Sequence, residues 1–170
     1  MSSKVLVAFA TMYGSTREVA EAIAGVLREC GVDADVMPAG DVRQLGGYDA
    51  VVVGAPLVTH HLHKDATRLL SRNRKALEQM PVALFTLGPV HVPYDEEEWQ
   101  DSRKQLDQEL AKLPWFEPVA VEILGGRFDP ALLRFPLNKL AGSEPASDIR
   151  DWDAIRAWAE GLPSVLGTSA

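Results

Sequence analysis

Apolar residues recur along the chain in two rhythms. Val5 to Ala10, Ala50 to Ala55, Val82 to Leu87 and Val119 to Leu124 are short runs rich in Val, Leu and Ala, and the first three barely alternate with polar residues. Such runs predict strands covered on both faces, as in a parallel sheet between two layers of helices. Val32 to Met37 is more polar and alternates through Val32, Ala34 and Val36, which suits an edge strand. Between these runs the period lengthens to that of a helix. Thr16 to Glu29 sets Val19, Ala20, Ile23, Ala24 and Leu27 on one face and stops at Gly31. His63 to Glu78 carries Ala66, Leu69, Leu70 and Leu77 at helical spacing. Asp95 to Leu113 opens with four carboxylates and continues with Trp99, Leu106, Leu110 and Leu113 as its stripe, and Asp148 to Leu162 offers Trp152, Ile155, Ala159 and Leu162. Five strands alternating with helices predict a doubly wound α/β sheet.

The segment from Gly125 to Ser147 breaks this alternation. It holds Gly125-Gly126, three prolines and the cluster Leu132-Leu133-Arg134-Phe135, and it is too long for an ordinary strand-to-helix connection. Loops of this length are functional or disordered, and the apolar residues in its middle predict docking on something. With 170 residues, 46% of them hydrophobic, the expectation is one domain over 1–170 with an insert at 125–147.

Composition narrows the chemistry. The formal net charge of -7 disfavours nucleic acid as a partner, because that affinity comes largely from Lys and Arg on phosphates. No apolar run is long enough to span a membrane, and Met1-Ser2-Ser3-Lys4 leads straight into a strand, so the expected compartment is cytoplasmic. Cys30 is the sole cysteine, which excludes an internal disulfide and a two-sulfur redox pair. Its simplest reading is a small buried apolar residue, and redox chemistry would need a bound cofactor.

Chemistry concentrates just after the first strand, in Thr11-Met12-Tyr13-Gly14-Ser15-Thr16. Hydroxyl residues around a glycine where a helix begins direct backbone N–H groups, side-chain donors and the helix dipole toward one point, which suits a phosphate. A nucleoside triphosphate loop would need a lysine and a dinucleotide loop three glycines, and neither is present. A terminal monophosphate bound by neutral donors remains, alongside the simpler reading that Ser15 or Thr16 caps the helix. A phosphoacceptor domain would place carboxylates at the ends of the first and third strands, where Phe9-Ala10-Thr11 and Gly54-Ala55-Pro56 stand instead. A small cysteine phosphatase would place its cysteine in the first loop, far from Cys30.

The Thr-x-x-Gly-x-Thr loop, with Gly54-Ala55-Pro56 ending the third strand, resembles the flavodoxin family over nearly the whole chain. Within it the sequence is similar to the flavodoxin-like menaquinone-dependent protoporphyrinogen oxidases, through His60-His61-Leu62-His63, Gly125-Gly126-Arg127-Phe128, the long insert and Asp151-Trp152-Asp153. The resemblance implies a flavodoxin-like three-layer sandwich, its five-stranded parallel sheet in the order 2-1-3-4-5 with helices on both faces. It implies FMN, with Thr11, Met12, Tyr13, Gly14, Ser15 and Thr16 holding the phosphate. Pro56, Leu57, Val58 and Thr59 would border one side of the isoalloxazine ring, and Leu87, Gly88, Pro89, Val90 and His91 the other. Typical flavodoxins set an aromatic residue from these loops against the ring. Here the nearest is Tyr94, which leaves the ring more open, as an enzyme requires.

The function so implied is an FMN-dependent oxidoreductase of the protoporphyrinogen dehydrogenase type, passing electrons to a quinone. The alternative is a soluble electron carrier for protein partners. The four histidines fall in two loops, His60, His61 and His63 after the third strand and His91 after the fourth. They read as exposed loop or helix-start residues, or as a proton donor near the flavin through His60 or His91. A metal site is not expected, since no cysteine assists and few carboxylates adjoin. The run Asp95 to Glu98 is either a helix start or a docking face for a basic redox partner. Arg127, Arg134, Phe135 and Lys139 would suit an anionic tetrapyrrole or peripheral contact with a quinone-bearing membrane, or belong to a lid packed on the domain.

Overall fold

A computed structural model of the chain describes residues 2–58, 61–90, 95–132 and 146–168, with the backbone alone at Val58. Thr59, His60, His91, Tyr94 and the insert residues Leu133, Arg134, Phe135 and Lys139 lie outside the described residues.

Five parallel strands form the centre: β1 (Lys4–Phe9), β2 (Asp33–Pro38), β3 (Ala50–Val58), β5 (Val82–Leu87) and β6 (Ala120–Leu124), side by side as β2-β1-β3-β5-β6. This is the expected order, with the numbering displaced by β4 (His61–Leu62). That two-residue strand turns back antiparallel on β3, pairing Leu57 with Leu62 and Val58 with His61. The non-alternating composition of β1, β3 and β5 has the expected cause, since both faces are covered. On one face Val5, Val7, Val52, Ala83 and Phe85 pack with α1 (Ser15–Glu29) and α5 (Trp152–Leu166). On the other, Leu6, Ala8, Val51, Val53 and Leu84 pack with α2 (Lys64–Arg72), α3 (Arg74–Leu77) and α4 (Glu96–Ala111). Gly54 makes the first face possible, because a Cβ there would stand 2.0 Å from the Phe85 ring.

Four local expectations are corrected. The helix over 63–78 is two helices: at Asn73 the backbone leaves helical geometry (φ -106, ψ 19), and the Asn73 amide side chain donates to the Leu69 carbonyl at 3.0 Å, competing with the helix ladder. The last helix starts at Trp152, and Asp148 belongs to β8 (Ser147–Asp148). Trp152 is exposed rather than buried, while Trp158 meets Phe85 edge-on at 6.0 Å between ring centroids. Cys30 is also exposed, because it ends α1 as its C-cap instead of extending the apolar face.

The strand ends are nearly level, which positions the site. Pro56 lies beside Leu87 and Leu87 beside Leu124, while the Ala10 N–H donates to Gly54 and the Gly88 N–H to Leu124. The segments leaving β1, β3, β5 and β6 therefore emerge at one edge of the sheet. The strands stay parallel, but the order in which they are added across the sheet reverses at β1, with β2 on one side and β3 on the other, and this is the switch point at which open α/β sheets leave a crevice.

Candidate functional site

The loop from β1 to α1 is built around Gly14, whose φ of +90 lies in the left-handed region that costs a residue with a Cβ about 1–2 kcal/mol. The Gly14 N–H donates to Thr11 Oγ1 at 2.8 Å, so the side chain that enters the loop holds its turn. Gly14 is also the N-cap of α1 and supplies no side chain, so neither Ser15 nor Thr16 caps the helix. An α-helix begins with N–H groups that lack intrahelical partners, and no side-chain cap serves those of α1. Thr16 deepens the deficit. It is fully buried, and its Oγ1 has no hydrogen-bond partner in the structure. A buried, unserved hydroxyl costs about 1–3 kcal/mol, and here it stands beside unserved N–H groups at the positive end of a helix dipole. Met12 and Tyr13 project outward at the lip of this cradle, 45% and 36% exposed.

Along the same sheet edge, Pro56 and Leu57 are partly buried where β3 turns into β4. Glu109, on α4 and only 7% exposed, holds this turn in place. Its Oε1 meets His61 Nδ1 at 2.9 Å, its Oε2 accepts the Leu62 N–H at 3.2 Å, and Lys112 donates to it as well. Burial alone would raise the Glu109 carboxyl pKa. The hydrogen bonds from Lys112, His61 and the Leu62 N–H outweigh it, so the net shift is downward. His63 has a separate task, since its Nδ1 accepts the Asp65 N–H at the start of α2. Both described histidines of this loop are thus engaged in structure.

After β5, Leu87 is buried in the core, Pro89 is buried, and Gly88 and Val90 are partly exposed. The Val90 N–H donates to Glu98 Oε1 at 3.1 Å. Of the acidic run, Asp95 is the N-cap of α4, accepting from Glu97 and Glu98 N–H groups, as a helix start requires.

The most informative residue passed over in the sequence is Arg150, whose side chain is 4% exposed. Nε and Nη2 fork onto the Asp148 carboxylate at 2.8 and 2.7 Å, while Nη1 reaches the Ser15 carbonyl at 3.3 Å and Glu18 Oε2 at 2.5 Å. The fork from Arg150 holds the Asp148 carboxyl below the usual carboxylate range. Arg127 on β7 (Arg127–Phe128), which pairs antiparallel with β8, approaches the same Glu18 at 3.8 Å. This two-stranded stem joins the two ends of the 125–147 segment and, with its neighbour Gly126, also touches the loop after β5. The Gly126 N–H donates to the Pro89 carbonyl at 2.8 Å, and the Ser147 hydroxyl donates to the Val90 carbonyl. Gly126 permits that approach, for a Cβ there would meet Val90 Cγ1 at 3.0 Å and the Gly88 carbonyl oxygen at 3.1 Å, while Gly125 lets the chain close on Ile149, whose carbonyl oxygen a Cβ would meet at 2.3 Å. No periodicity marks Arg150, because its partners Ser15 and Glu18 lie more than a hundred positions upstream. Glu109 did carry a signal, as a carboxylate three residues beyond Leu106 and next to Leu110 on the apolar stripe.

Comparison with known proteins agrees with this geometry. A family model described as a flavodoxin domain matches residues 6–136. The protoporphyrinogen IX dehydrogenase (quinone) of Escherichia coli is 34% identical over 89 residues, an alignment covering 51% of this chain and 49% of that protein. The chain thus matches about half the length of that curated relative. Among solved structures, a flavodoxin from the domain Archaea superposes with a TM-score of 0.58 at 15% identity, covering 96% of this chain and 99% of its own. The oxidised flavodoxin 1 of Bacillus cereus gives 0.52 at 18%, covering 95% and 98%. At such identities these structures speak to the fold alone. Among the described residues no helix is long and apolar enough to cross a membrane.

Proposed function

Because the chain belongs to the flavodoxin domain family, whose cofactor is FMN, we propose that it is an FMN-dependent oxidoreductase that takes electrons from a protoporphyrinogen-type substrate and delivers them to a quinone. The observation that carries the cofactor assignment is the Thr16 hydroxyl, fully buried and without a partner at the uncapped start of α1. A monophosphate oxygen is the acceptor this hydroxyl and the neighbouring N–H groups lack. No lysine or arginine occupies 11–16, which matches a phosphate held by neutral donors and the helix end.

When bound, FMN supplies the electron-transfer chemistry, and the side chains place it and govern access. Thr11, Ser15 and Thr16, with the N–H groups of Met12 and Tyr13 and the turn made by Gly14, would hold the phosphate. Pro56, Leu57, Val58 and Thr59 would flank the ring on the β3 side, and Gly88, Pro89, Val90 and His91 with the end of β5 at Leu87 on the other. Glu109 keeps the first of these segments against α4, and the Glu98 carboxylate anchors the second through Val90. Support for an enzyme rather than a carrier comes from the E. coli relative and from the 125–147 segment, whose stem rests on the loop after β5.

The test is turnover by the FMN-loaded chain of protoporphyrinogen with a soluble menaquinone analogue. Quinone-dependent substrate oxidation that is lost on deleting 129–146, with FMN still bound, is the expected result. Absence of turnover together with rapid reduction by a flavodoxin reductase would instead identify a carrier.

A further inference from the structure

Arg150 joins two parts of the molecule that the chain keeps far apart. Its fork on Asp148 fixes it to the stem of the 125–147 segment, and its remaining nitrogen reaches Ser15 and Glu18 in the first turn of α1. The guanidinium carbon also lies 4.9 Å from the centre of the Trp152 ring at the start of α5, so Asp148 and Trp152 hold it from two directions. Paired arginines on protein surfaces contribute little, but this side chain is almost wholly removed from water and is met by two carboxylates and a carbonyl.

The placement has an electrostatic consequence. Glu18 suits the helix dipole, yet it sets a carboxylate within one turn of the position where a phosphate dianion would be bound. Its two oxygens face two arginines, Arg150, two residues past the stem, at 2.5 Å and Arg127 of β7 at 3.8 Å. The two guanidinium groups thus shield the carboxylate nearest the ligand site, although each is shared with a second carboxylate, Arg150 with Asp148 at 2.7 Å and Arg127 with Asp129 at 3.7 Å.

Resting on the phosphate-loop reading above, we infer that Arg150 is a positioning residue for FMN, holding the first turn of α1 and pairing with Glu18 so that the cradle accepts a phosphate dianion. The ligand class that feels this is any flavin bearing a terminal phosphate. Riboflavin, which lacks one, is indifferent to it.

Flavin fluorescence titrations of the full chain with FMN and with riboflavin, at low salt, test the inference. Arg150→Met is expected to weaken FMN on the order of tenfold while leaving riboflavin within about twofold. Adding Glu18→Gln to it is expected to recover part of the loss, because the carboxylate nearer the ligand is gone while Asp148 remains. Equal losses for both flavins, no loss for either, or no recovery in the double variant would overturn it. Should Arg150→Met not fold, Glu18→Gln alone decides, since the half-exposed Glu18 tolerates replacement. FMN binding about threefold tighter supports the inference, and unchanged or weaker binding overturns it. If the wild-type chain binds riboflavin as tightly as FMN, the phosphate-loop reading itself falls. A wild type that prefers FMN, with variants that do not respond, removes the role of Arg150 alone.

Discussion

Helices α1 and α5 pack together on the same face of the sheet, and their first turns are built in opposite ways. At α5 the Asp151 carboxylate accepts the Ala154 N–H at 3.0 Å, Asp153 adds charge favourable to the dipole, and the half-exposed Trp152 covers the Arg150 guanidinium. That helix start is complete in itself. At α1 the N-cap is a glycine in left-handed geometry, no side chain caps the turn, and a buried threonine hydroxyl has no partner. One end is finished for stability, and the other is left short of acceptors at a cost that the rest of the fold offsets. Local deficits of this kind concentrate where a ligand completes the structure.

The sharpest way to separate the two ends is to alter each hydroxyl or carboxylate in turn. Thr16→Val keeps shape and removes a donor. FMN binding should weaken by about 1.5–3 kcal/mol while the apoprotein unfolds no more easily, because without ligand the hydroxyl is a liability. Titration with FMN and thermal melts of the apoprotein measure the pair of effects. Gly125→Ala attacks the stem instead, driving a Cβ toward the Ile149 carbonyl. It should cost about 1–3 kcal/mol of stability by denaturant unfolding. Asp151→Ala is the mirror image of the threonine variant, and it should lose about 1 kcal/mol of stability with FMN affinity nearly unchanged.

Much of this contrast could be foreseen. The three unalternating runs of β1, β3 and β5 fix a doubly covered sheet, and Thr11 to Thr16 marks the turn proposed to hold the phosphate, because local residue order decides where a strand hands over to a helix. What escaped depends on tertiary contact. Whether Asn73 breaks a helix turns on which carbonyl its side chain finds, and Trp152 follows the placement of Arg150. Arg150 itself reads as an ordinary charged residue until folding brings Ser15 to it.

An effect of similar size to that of Asp151→Ala belongs to Glu109, which serves the turn after β3 as Arg150 serves the loop after β1. Its folded pKa lies below the ordinary value, so its stabilising contribution is present above the unfolded pKa and is lost as pH falls through the lowered one. Glu109→Gln should cost about 0.5–1.5 kcal/mol at neutral pH and flatten the acid limb of a stability-versus-pH curve. An unaltered acid limb would assign that limb to other carboxylates.

The central claim, that the uncapped start of α1 is an FMN phosphate site, is tested most directly by adding excess FMN to the purified chain, desalting, and recording the absorbance spectrum with the released cofactor identified. Stoichiometric FMN retained by the wild type and lost from Thr16→Val is the expected result. A wild-type chain that retains no flavin, or a Thr16→Val variant that retains it as firmly as the wild type, would contradict the account.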